Sequence, residues 1–245
     1  MTKNPFEILA VEHYPILQVA SALAAMKTTH EINPEILKEA VNFIRNYADR
    51  YHHEKEEKVV FERTKKKRID YSPIEAMEKE HEMTRGVVKQ AVKALEEGKI
   101  EDAIVNLRNW ANFIPNHIER ENFVLFPALN NVFSEEEKEE ILKEFERVDE
   151  ELGSFEEMEN LASKIFLEIV SKSGNAILEA RAIPKEDRDD FVLKLAHALP
   201  KNAALTVLYD EKSEELEKKL DSFEIEEIKK RGVYAFKIKR RKDKD

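Results

Sequence analysis

Over the first 172 residues, apolar side chains recur at three- and four-residue intervals, the period of helices that bury one face. The spacing predicts a helix from about Val11 to Lys27 and a long second one from Pro34, a good first-turn residue, to about Lys67. A third runs from the Ser72 cap, just before Pro73, to a stop at Gly98. A fourth covers residues 100–133, with Pro115 expected to kink it and Pro127 near its end. Ser134–Leu152, opened by a Ser134/Glu137 capping box, and Ser154–Lys172 complete the helical part. After "SKSGN" the texture changes. Short β-type runs, "AILEARAI" and "AALTVLY", flank a helical "PKEDRDDFVLKLAHAL". A short helix then precedes "FEIEEIKK" and "VYAFKIKR", which alternate and read as a hairpin about Arg231-Gly232. The order β-α-β-α-β-β describes a small α+β unit. Two domains are therefore expected, 1–172 and 176–245.

Composition narrows the partners and the chemistry. At 245 residues, 42% hydrophobic and 38% charged with only 5 Gly, the chain suits long solvated helices. A net charge of −10 argues against nucleic acid as a partner, and the basic tail "KIKRRKDKD" reads as a solubilising terminus. No 18-residue apolar stretch occurs and "MTKNPFEILAVEHYP" lacks a signal-peptide core, so a cytoplasmic protein without membrane contact is expected. Few glutamines (Gln18, Gln90) and abundant Lys and Glu fit a thermophile. With no cysteine, thiolate metal sites and disulfides are excluded, and any metal must be held by His and carboxylate.

Three helices aim an imidazole along an apolar face. His13 precedes Ile16, Leu17, Ala20 and Leu23; His81 sits in a stripe with Met77, Thr84, Val88 and Leu95; His117 follows Trp110, Phe113 and Ile114, with Glu121 one turn on. One inward histidine is ordinarily a core residue, and with 51 acids in 245 residues a lone His-x-x-x-Glu carries little. The combination carries more, because an ionised glutamate on an apolar face is costly unless a cation or hydrogen bonds compensate it. In "RYHHEKEEKVVF" two registers compete. His52, Glu56 and Phe61 share the offsets 0, +4 and +9 with His117, Glu121 and Phe126. At about 100° per residue His52 lies at the edge of the stripe Leu37, Val41, Ile44, Ala48, Tyr51, while His53 falls on the opposite side. His52 and Glu56 are the expected inward pair, with His53 and Glu57 outside.

The halves also repeat. "EHYPI" places His13 39 residues before His52, and "EHEMT" places His81 36 residues before His117. Four imidazoles and two carboxylates form a natural set for two bridged metals in a bundle core, iron first, manganese or zinc as alternatives. Tyr14, Tyr47, Tyr51 and Trp110 are candidate aromatic neighbours of such a site.

Residues 1 to about 170, through "EHYPI", "YHHEKEEKVVF", "EHEMTR" and "NHIERENFVLFPAL", resemble the hemerythrin-like (HHE cation-binding) family. The resemblance implies a mainly α fold, an up-and-down four-helix bundle with extra helices holding a non-haem di-iron centre. Its ligands would be His13, His52, Glu56, His81, His117 and Glu121. Oxygen-carrying members present a second histidine four residues after the helix-three ligand; here Arg85 stands there. The site is thus more similar to the four-His, two-Glu members, with His53 or Glu54 as alternative additions to the coordination shell. Residues 176–241 resemble a small domain distantly similar to the TusA/SirA sulfur-carrier fold, but with no cysteine persulfide transfer is excluded. In that region His197 is expected at the core or its boundary, and Asp187 and Arg188 to suit a helix dipole. The function so implied is binding or sensing of O2, NO or iron status, relayed to the C-terminal part, which could also bind a protein partner or a second copy. The alternatives are a di-iron enzyme consuming O2, peroxide or NO, and a bundle with structural zinc.

Overall fold

The computed structural model describes residues 4–67, 69, 72–153, 155–210, 213–230 and 233–241. α1 (Pro5–Ala24) starts earlier than its apolar stripe suggests, because Asn4 caps the Phe6 amide at 2.9 Å and Pro5 suits the first turn. The second helix is one unbroken run over 34–65, here α2. It begins as an α-helix (Pro34–Phe43), widens to π-helix over Ile44–His53 and Lys55–Phe61, and tightens again at Glu62–Lys65. α3 (Ser72–Glu96) ends where Gly98, at φ 70°, lets the Lys99 amide reach back to the Ala94 carbonyl at 2.8 Å. α4 spans 100–130, α-helical over Ile100–Arg120 with Pro115 inside it, π-helical over Glu121–Leu125, and α-helical again over Phe126–Asn130. α5 (Glu135–Leu152) opens with the expected Ser134/Glu137 capping box, and α6 (Phe155–Ser173) follows.

Helices α1 to α4 close a ring, α1 against α2 and α4, and α3 against α2 and α4. α5 packs on the π-helical part of α2, and α6 lies along α1 and α2. A separate apolar cluster built from Phe6, Leu9, Val60, Phe61, Phe126 and Phe145 seals one end of the bundle.

The C-terminal part has the expected order: β1 (Asn175–Glu179), α7 (Lys185–Ala198), β2 (Ala204–Tyr209), α8 (Glu214–Lys219), β3 (Phe223–Lys230) and β4 (Val233–Arg240). A 3-10 turn at Ala180–Ala182 shortens the first predicted strand. The sheet order is β1-β2-β4-β3, with β1 parallel to β2 and the other pairs antiparallel. The expected Arg231-Gly232 turn and the Ser154 helix start lie outside the described residues. One continuous apolar core runs from Leu17 and Leu23 of α1 through Phe166 to Leu205 and Ile238 of the sheet. His197, expected at the core or its boundary, is exposed and meets Phe223 edge-on. Arg188 is instead the buried member of its pair, with Nη1 on Asp210 at 2.9 Å and Nε on the Ile183 carbonyl. Among the described residues no helix is long and apolar enough to cross a membrane.

Candidate metal centre

All six expected residues come together at the centre of the ring, each at most 1% exposed. The two sequence halves remain visible: His13 Nε2 and His52 Nε2 lie 2.8 Å apart, as do His81 Nε2 and His117 Nε2 at 3.1 Å. The carboxylates span both pairs. Glu56 turns Oε1 toward His52 at 3.7 Å and Oε2 toward His81 at 3.6 Å. Glu121 places Oε2 3.3 Å from His13, and Oε1 3.0 Å from His117 and 3.5 Å from His81. Despite that proximity, all four carboxylate oxygens are buried without a hydrogen bond of proper geometry. Donor atoms converge in two groups, His13, His52, Glu56 and Glu121 in one, His53, His81 and His117 in the other.

His53 corrects the helical-wheel expectation. Its side chain is buried, and its ring stacks on His81 at 3.8 Å between centroids. The reason is the π-helix: an i→i+5 hydrogen bond widens the turn, each residue advances by less than about 100°, and neighbours such as His52 and His53 share one face. A signal for this was in the sequence. Nine residues of α-helix advance by about 900°, which would set Phe61 half a turn away from His52. Phe61 and Phe126 are nevertheless buried beside the histidines, at 6.3 Å from His81 and 5.7 Å from His13. The +9 offset in both halves therefore carries the imprint of the wider helix. Glu54, the other alternative, pairs with Lys58 at 2.7 Å on the outside.

A surrounding layer of carboxylates and one amide, largely unread in the sequence, repeats the same two-fold relation. Glu12 holds His52 Nδ1 at 3.0 Å and Glu80 holds His117 Nδ1 at 2.8 Å. Asn122 faces His13 Nδ1 at 3.0 Å and Glu57 faces His81 Nδ1 at 2.7 Å. The acids were legible as the residue before each histidine in "EHYPI" and "EHEMT", and Glu57 and Asn122 as the residue after each inward glutamate. Acceptors on Nδ1 fix the tautomer that frees Nε2 for a cation, the usual support of metal-ligating imidazoles. Besides the exchange of Glu57 for Asn122, the halves differ beside the ligand-spaced histidine: His53 has Ile118 as its counterpart.

Of the candidate aromatics, Tyr47 gives its hydroxyl to the Glu12 carbonyl at 2.9 Å, and Tyr51 lies under the Lys55 ammonium at 3.9 Å. Tyr14 leaves the site altogether and bonds Asp187 of α7 at 2.6 Å.

Electrostatics show what the site lacks on its own. Burial, then the nearby charge of Glu121, holds the Glu56 carboxyl well above the usual carboxylate range. Burial opposes ionisation of Glu121, but the neighbouring imidazoles of His117, His13 and His81 outweigh it and hold the carboxyl well below that range. His117 is pushed up to about 9, burial opposing and Glu121 and Glu80 raising it. Burial drives His52 and His53 well below the ordinary imidazole range. Two carboxylates in a dry interior cannot both ionise unless cations join them. The donor set, imidazole and carboxylate without thiolate, fits first-row divalent metals.

The family profile of the hemerythrin HHE cation binding domain matches residues 4–129, which contain every one of these donors. No curated protein and no solved structure matches the chain.

Proposed function

Because the chain belongs to the hemerythrin HHE cation-binding family, we propose that its bundle holds two non-haem iron ions and binds or senses O2, NO or a similar small ligand. Manganese or zinc are the alternative occupants. The observation that carries the reading is the pair of buried carboxylates, each turning one oxygen toward either histidine pair and none of the four oxygens hydrogen-bonded. His13, His52 and His53, His81, His117 would hold one ion each side of Glu56 and Glu121. Bound iron supplies the redox change and open coordination that a diatomic ligand needs.

A relay toward the C-terminal part favours sensing. Asn122, which faces His13, gives its Nδ2 to the Ala182 carbonyl at 2.8 Å, in the turn that follows β1. A small rotation of the His13 ring would thereby reach the turn after β1 through one side chain.

Metal analysis and optical spectroscopy of anaerobically purified protein test the reading. About two iron per chain with a stable absorption change under O2 or NO is expected. Sustained consumption of either gas would favour the enzyme, and zinc with no spectral response would end the proposal. His53→Ala separates the two positions: it is expected to lower bound metal to about half, since one three-imidazole group loses a donor while the other keeps its own. Unchanged metal content in that variant would remove His53 from the ligand set.

A further inference from the structure

A cavity of about 490 Å³ lies between α2 and α3, with Trp110 of α4 among its walls and His53 lining it. That volume is in the range that holds a small organic ligand. Its walls divide by chemistry. Ala48, Val88, Val92 and Trp110 give an apolar stretch. Asp49 and Arg85 neutralise one another through a 2.6 Å contact. Arg45 and Lys89 are left as exposed cations, and among the described residues neither has a carboxylate within ion-pair distance. Glu96 stands two turns beyond Lys89 on α3, about 10 Å along the helix, and so leaves that charge uncompensated.

His53 provides the second, independent observation. The other four site histidines have an acceptor on Nδ1 at 2.7–3.0 Å, but His53 Nδ1 is buried with no hydrogen-bond partner, its nearest carboxylate being Asp49 at 3.5 Å. Buried polar atoms are rarely left so. The extra imidazole also exists only on the side of the bundle that carries the cavity, because its counterpart in the other half is Ile118.

We propose that this cavity binds a short hydroxy- or oxo-carboxylic acid, its carboxylate on Arg45 and Lys89, its chain along Val88 and Trp110, and its far oxygen accepting from His53 Nδ1. Two cations, an apolar wall and one unpartnered nitrogen match those three parts of the ligand. The site goes beyond the metal reading and does not rest on it, since side chains of α2 and α3 with Trp110 of α4 form the cavity walls.

Trp110 is the single tryptophan, so its fluorescence reports occupancy directly. The test is titration of the full chain with 6-hydroxyhexanoate, before and after chelation, so that failure of metal binding does not hide the outcome. A saturable fluorescence change is expected, weakened about tenfold or more by Arg45→Glu and by Lys89→Glu. Hexanoate should bind less tightly, and 1,6-hexanediol at least about tenfold less tightly. The proposal is overturned by the absence of a saturable change, by charge-reversed variants that bind as the parent does, or by a diol or plain hexanoate that binds as well as the hydroxy acid.

Discussion

Stripping the metal with a chelator is expected to destabilise this protein more than any single surface change. Glu56 and Glu121 are fully buried, and without cations Glu56 is held protonated by burial while Glu121 has the raised His117 as its neighbouring charge. A ligand that binds only the folded state adds stability by mass action, ~4 kcal/mol at a concentration a thousandfold above its dissociation constant. Urea unfolding with and without chelator measures the difference directly. In Glu121→Ala the carboxylate that turns toward both histidine pairs is gone, metal should be lost, and chelator should no longer shift the transition. If Glu121→Ala keeps its full metal content, the bridging role assigned to this residue is wrong.

Lys55→Ala is expected to cost about 3–5 kcal/mol, the loss typical of breaking a buried pair from one side. Lys55 is fully buried, with Nζ 2.5 Å from Glu12 and 2.6 Å from Asp149, and its charge over the Tyr51 ring. Asp149 is half exposed and can return to water, but Glu12 cannot. Burial already lifts the Glu12 carboxyl to about 7 against the pull of Lys55, so without the lysine Glu12 would take up a proton. Its grip on His52 Nδ1 would then weaken, and metal affinity should fall about 10–100-fold, as for other lost outer partners of a ligating histidine. The internal repeat supplies a control. Arg120 stands to Glu80 as Lys55 stands to Glu12, but it is half exposed, and Arg120→Ala should cost under about 1 kcal/mol. Equal losses in the two variants would show that burial does not set the cost. Adding Glu12→Gln to a Lys55→Met background should recover much of the stability, because a neutral amide can still accept from His52.

The elements were legible because each is amphipathic and well punctuated. Asn33 and Pro34 open α2, the Ser134/Glu137 box opens α5, and Gly98 closes α3. The six inward donors were legible for a related reason: a histidine or glutamate amid apolar neighbours at helical spacing has nowhere to go but inside. The hidden carboxylates were partly legible as residues adjoining those donors, but adjacency in sequence does not say which imidazole an acid reaches. Glu12 adjoins His13 and serves His52.

What the sequence determined by itself, then, was the helical periodicity, the two-fold repeat of His and His-x-x-x-Glu, and the exclusion of thiolate chemistry. What only the tertiary structure decided was where along each helix the wider winding falls relative to the inward donors. α2 and α4 wind as π-helix at the donors, the i→i+5 bonds turn His53 inward beside His52, and the +9 phenylalanines close over the site. Side-chain type sets which face is apolar. The backbone hydrogen-bond pattern sets which residues occupy it.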